Sequence, residues 1–205
     1  MPRKAFPRKD DAHRVVATEV LAKHAAATDR PIGLPVPIDL IIEQTYGLEI
    51  VWDRLAESPD TMILGALIPQ SRRIVLNEVH SDMFDRWVGP ERFTLAHELA
   101  HWIYDADNPD QLALDLKVSK TEQFCYHPES PRLSDHLRIR EVNANKLASH
   151  LLLPAHLVRA VPVDTILDDF RGTAARWGVS QQALRIRLES LGLIDDMDAS
   201  RLDGM

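Results

Sequence analysis

The sequence predicts an α+β fold, mainly helical, with three short strands. Three observations predict it. Segments with apolar residues at helical spacing recur between residues 11 and 194. Three apolar, partly β-branched runs fall between residues 48 and 77. Proline and glycine clusters separate these segments and mark the connectors.

Taken in order, residues 11–27 (DAHRVVATEVLAKHAAA) read as a helix, with Val16, Val20 and Leu21 on one face and Ala17 and His24 beside them. TDRPIGLPVP has three prolines and reads as a connector. IDLIIEQTY (38–46) reads as a short apolar helix stopped by Gly47. LEIVW (48–52) reads as a strand, and residues 61–77 as a hairpin whose arms, TMILGALIP and RRIVLN, join through Gln70 and Ser71. Residues 78–89 read as irregular or a helical turn.

A strong helix is expected from Gly89-Pro90, because proline suits the first helical position. Phe93, Ala96, Ala100 and Ile103 make its apolar stripe. Residues 105–134 are polar and weakly patterned, apart from a short helix expected near QLALDL; a span this long inside a domain is often functional. A further helix is expected from Ser134 to Leu152, ended by Pro154. Two or three short helices then fill 163–194, with Gly178-Val179-Ser180 as a turn.

Composition bounds the function. The chain has 205 residues, 45% hydrophobic and 27% charged, and a net charge of −7. These values fit a folded domain and disfavour a generally basic nucleic-acid binder. The single cysteine, Cys125, allows neither an intrachain disulfide nor a cysteine-rich zinc site. The start lacks an apolar signal core and no apolar run is long enough to span a bilayer, so the expected location is the cytoplasm.

Nine histidines remain as metal-ligand candidates. His97-Glu98-Leu99-Ala100-His101 is an HExxH motif on the strong helix. Positions i and i+4 share a helical face, so the two imidazoles can converge on one ion while Glu98 takes a proton from metal-bound water. A third ligand is needed. The extended pattern HExxHxxGxxH requires glycine at 104 and histidine at 107, where this chain has Tyr104 and Asp107. Asp107 would need a sharp reversal without the glycine. Glu141 is the better candidate, because Ala144, Leu147, Ala148 and Leu151 turn its side of the helix toward the core. Asn145, one turn on, can accept the second ring N–H of a ligand histidine. His150 falls near the opposite face and reads as structural or exposed; His156 is not expected to be a ligand. Cys125 reads as a small hydrophobe.

RFTLAHELAHWIY followed by EVNANKLASHLLLP resembles the ImmA/IrrE family of gluzincin-like metallo-endopeptidases. RRIVLN, PVPIDLIIEQTYGLEIVW and WGVSQQALRIRLESLGLI are similar to its strand before HExxH, its N-terminal helix and strand, and its frequent C-terminal element. The resemblance covers roughly residues 12–194. It implies a zincin-like helical domain around a small three-stranded antiparallel sheet. His97, His101 and Glu141 would bind metal, Glu98 would be the general base and later the acid, and Asn145 falls on the family's asparagine. Ala100 stands where the family often has glycine, and Leu147 where it often has phenylalanine.

The implied domain plan is a disordered tail at 1–10, a peptidase domain at 11–160 and a helix–turn–helix-like element at 161–205. The implied cofactor is Zn2+, with Mn2+ or Fe2+ compatible with the same donors. The implied activity is limited cleavage of a protein partner, a helix–turn–helix repressor or antitoxin-like regulator, in stress response or mobile-element control. The oxyanion-stabilising group is not assigned; Tyr126, His127, His136 and Arg138 are candidates by position. Ile74–Asn77 is a candidate edge for an extended peptide. Two other readings compete: a metal-containing module that sequesters its partner uncut, and a DNA-binding regulator using Arg171, Arg176, Arg185 and Arg187. The acidic charge disfavours direct nucleic-acid binding.

Overall fold

The computed structural model describes residues 9–57, 62–105 and 135–195. Expectations for Asp107, the helix near QLALDL, Cys125, Tyr126, His127 and the first eight residues fall outside these, as does the side chain of His136.

Helix α1 (Lys9–Thr28) buries Ala17, Val20 and Leu21 along one face, as its periodicity predicts. His24 is buried as well, and its Nδ1 lies 2.7 Å from Thr45 Oγ1. That contact pins α1 to α2, which starts as Ile38–Leu40 and widens into a π turn over Ile41–Thr45. Gly47 ends it with φ +60, a conformation that costs glycine little.

The strands are β1 (Glu49–Asp53), β2 (Gly65–Ile68) and β3 (Arg73–Asn77). Their order is β1-β3-β2, with β2 antiparallel to β3 but β1 parallel to it. The sheet is therefore mixed, not wholly antiparallel. The chain leaves β1, crosses to the far side of β3's position, reverses through β2 and returns along β3 in the direction of β1. Strand patterning fixes which face is buried, and says nothing of which neighbour a strand chooses. β3 is the central strand, with Ile74, Val75, Leu76 and Asn77 all buried. At its end, Asn77 donates to Ile63 O (2.8 Å) and accepts from Leu55 N (3.1 Å), which closes the connection from β1.

A 3-10 turn (Glu78–His80) and α3 (Ser81–Arg86) lead to α4 (Val88–Asp105). α4 lies against the sheet on one side and α5 (Asp135–Leu152) on the other. Its stripe packs as predicted: Ala96 and Ala100 are fully buried, Phe93 and Ile103 half-buried. α5 in turn is held between α4 and α1, with Ala144, Leu147, Ala148 and Leu151 fully buried. Truncating Leu147 or Leu151 to alanine at such sites costs about 2–5 kcal/mol.

Four short helices follow: α6 (Ala155–Arg159), α7 (Val163–Asp168), α8 (Phe170–Trp177) and α9 (Gln181–Ser190). Asp169 caps α8 by accepting from Gly172 N, and Ser180 caps α9 by accepting from Ala183 N. Gly178 between them has φ +66, and a Cβ there would meet Arg92 Nε at 2.6 Å. Arg92 needs that space: it donates to Gly178 O and to Val36 O, so one side chain of α4 ties both the C-terminal helices and the connector before α2. Among the described residues, no helix is long and apolar enough to cross a membrane.

Candidate metal centre

The helix pair α4–α5 brings together His97, His101, Glu141 and Asn145. His97 and His101 stand one turn apart on α4, and their Nε2 atoms are 3.0 Å apart. Glu141 near the start of α5 reaches both, with Oε2 3.2 Å from His97 Nε2 and Oε1 3.4 Å from His101 Nε2. One ligand atom from each of the three residues can be chosen so that all lie within 4.8 Å of one another. Zinc bonds of ~2.0–2.1 Å in tetrahedral geometry put neighbouring ligand atoms about 3.3 Å apart. The observed separations and the two-imidazole, one-carboxylate donor set fit such an ion.

His97 Nδ1 lies 2.9 Å from Asn145 Oδ1. An amide oxygen only accepts, so this contact places the ring proton on Nδ1 and leaves the Nε2 lone pair toward His101 and Glu141. Phe93, one turn earlier, lies beside His97 with ring centroids 6.2 Å apart. Glu98 is fully buried at the foot of β2.

The electrostatics follow from the packing. Burial opposes charge on His97, yet the hydrogen bond it donates to Glu141, the charges of Glu98 and Glu141 and the contact with Asn145 together raise its pKa above the ordinary imidazole range. Burial alone would raise the Glu141 carboxyl. The hydrogen bonds and charges of His101 and His97 outweigh it and hold Glu141 well below the usual carboxylate range. The group thus joins a carboxylate to two imidazoles, a set that could hold a metal ion.

One contributor went unread in the sequence. Gly65 opens β2 directly over α4, and a Cβ there would stand 2.5 Å from Thr94 Cγ2 and 3.0 Å from Val75 O. Only glycine lets the strand come this close to Glu98. A glycine inside a strand pattern is the signal that marks such an approach. The edge expectation changes too. Ile74–Asn77 is bonded on both sides by β1 and β2, so it offers no free edge; among the described residues the edge strand beside α4 is β2.

Among the described residues, the metal-capable group holds no other histidine. His150 is buried at the other end of α5, with its Nδ1 3.1 Å from Arg187 Nη2. In the C-terminal helices, Arg176 pairs with Asp169 at 2.6 Å and Arg185 with Glu189 at 2.9 Å, while Arg187 is buried.

The family model of the IrrE N-terminal-like domain (peptidase M78) matches residues 54–189. The chain belongs to this family. This stretch runs from the end of β1 to α9 and contains all four clustered residues and Glu98. Membership makes the chain a metallopeptidase-type domain, and the His97–His101–Glu141 group is one that could hold a metal. Among solved structures, a Mycobacterium tuberculosis transcriptional regulator is similar at 20% identity, with a TM-score of 0.47, over 87% of this chain and 46% of that one. The chain thus spans about half the length of that structure. No curated protein matches it.

Proposed function

We propose that this IrrE-like domain is a zinc-dependent endopeptidase that makes limited cuts in a regulatory protein. The observation that supports it is the His97–His101–Glu141 group, two buried imidazoles and a half-buried carboxylate, with the carboxylate of Glu98 carried on the same helix between the two histidines. Mn2+ and Fe2+ would suit the same donors, and zinc is the first expectation from ligand type.

When bound, the ion supplies a Lewis acid for the scissile carbonyl and makes water a nucleophile near neutral pH. The chain's own residues do the rest. His97, His101 and Glu141 hold the ion, and Asn145 fixes the His97 ring. Glu98 takes a proton onto its carboxylate from the attacking water and delivers it to the nitrogen of the leaving amine. Among the described residues β2 is an edge strand, and that edge can receive an extended peptide by strand addition next to Glu98. A partner of the helix–turn–helix repressor type is supported by charge: DNA-binding surfaces are basic, and this chain carries −7. The proposed place of action is the cytoplasm, where such regulators work.

The pairing of Arg176 and Arg185 with acids of their own helices argues against the C-terminal helices as a DNA reader. They serve in this reading as a packed appendage. The test is Glu98→Gln, incubated with helix–turn–helix regulators encoded near the gene. The variant should keep its metal and lose about 10²–10⁴-fold in cleavage. Equal cleavage by the variant refutes the mechanism, and an uncut partner in stoichiometric complex with the metal-loaded wild type replaces it with sequestration.

A further inference from the structure

The 3-10 turn Glu78–His80 and α3 present a face that the metal centre does not use. Val79, Met83 and Trp87 recur four residues apart and stack as one column along it. With His80, Asp82 and Arg86 they line an open cavity of about 320 Å³. Val79 is 50% exposed and Trp87 60%. Trp52 of β1, also exposed, sets its ring edge-on to Phe84 of the same helix at 5.5 Å and widens the apolar surface. Exposed apolar side chains scattered singly need no explanation; three gathered around one short helix make a patch of the kind that marks an interaction site.

The charges on this face say what fits it. Asp82 and Arg86 are exposed and one turn apart, acid before base, the order that favours an ion pair within a helix. Among the described contacts neither side chain has a partner. The neighbouring charges are committed elsewhere. His80 Nε2 lies 2.6 Å from Glu57 Oε1, and Glu78 pairs with Arg54 at 3.4 Å. Asp85 does not line the cavity, and its charge bears on Glu91 of α4 instead. When two identical helices pack antiparallel about a two-fold axis, each flanking column meets its own copy in reverse order. Asp82 then lies opposite Arg86 of the second copy and Arg86 opposite its Asp82, while the two apolar columns close on each other.

We infer that this face joins two copies of the chain, in a two-fold dimer closed by reciprocal Asp82–Arg86 pairs beside a Val79–Met83–Trp87 seam. The contact shares no residue with the metal centre and is independent of cleavage. The face is small, and small interfaces are transient, so Kd should fall between about 1 μM and 1 mM.

Sedimentation equilibrium of the full-length chain, over a concentration series reaching about 1 mM, tests it. The wild type should pass from monomer to dimer. Arg86→Asp sets like charges against each other twice per dimer and should weaken association about tenfold or more, as should Asp82→Arg. Asp82→Arg combined with Arg86→Asp restores opposite charges and should return association to within about threefold of wild type. Trp87→Ser should abolish the dimer. All these positions are exposed, and far-UV circular dichroism checks that each variant folds. A wild type that stays monomeric through the series overturns the inference. So does a dimer that tolerates either single reversal or the loss of Trp87, or one that the combined reversal fails to restore.

Discussion

The same two helices carry two buried histidine clusters of opposite character. α4 contributes His97 and His101 to one and Tyr104 to the other. α5 contributes Glu141 and Asn145 to the first and His150 to the second. In the first cluster the third partner is a carboxylate within 3.4 Å of both imidazoles. In the second, Arg187 of α9 stands against His150, whose ring centroid is 6.5 Å from that of His13, and the hydroxyl of Tyr104 is 2.5 Å from His13 Nδ1. Burial lifts the Tyr104 pKa to about 12, so that hydroxyl keeps its proton. Burial and histidine count are alike in both places. Among the described contacts, the two groups differ in the residue that closes them, a carboxylate in one and a guanidinium in the other.

The sharpest way to break this contrast is at Glu141. Glu141→Ala should lower zinc affinity by more than about a hundredfold, since it removes a direct ligand where loss of an outer partner already costs about 10–100-fold. Competition with a chromogenic chelator measures it. Arg187→Met is the counterpart on the other side. It should leave zinc affinity unchanged while lowering stability by about 1.5–3 kcal/mol in urea melts, because His150 Nδ1 and Leu153 O lose a charged donor. A change in zinc affinity there would mean that the two clusters are one system. Asn145→Ala should keep the metal but weaken it about 10–100-fold, through a freed His97 ring. Tyr104→Phe is the mildest, costing about 0.5–1.5 kcal/mol of stability with no effect on zinc.

Much of this was readable in advance, and the exceptions share a cause. The HExxH helix and the apolar face that carries Glu141 inward both follow from helical periodicity, which is a property of the chain alone. Sheet order is not. β1 and β2 present similar apolar patterns, which do not say on which side of β3 each lies, and the expected antiparallel sheet is mixed. His150 illustrates the same limit. A single-stripe reading leaves it structural or exposed; packing α5 between α4 and α1 gives that helix two covered faces and buries it. Gly65 is legible only as an interruption in a strand, and its reason, the 2.5 Å that a Cβ would leave to Thr94, exists only once β2 lies on α4.

The central claim is that the acid-closed cluster holds the metal on which cleavage depends. Zinc content, determined by elemental analysis on wild type, Glu98→Gln and His101→Ala prepared in parallel, tests it most directly. The account predicts one zinc per chain in the first two and no stoichiometric zinc in the third. A wild type that takes up no divalent metal, or a His101→Ala chain that still holds one equivalent, would contradict it.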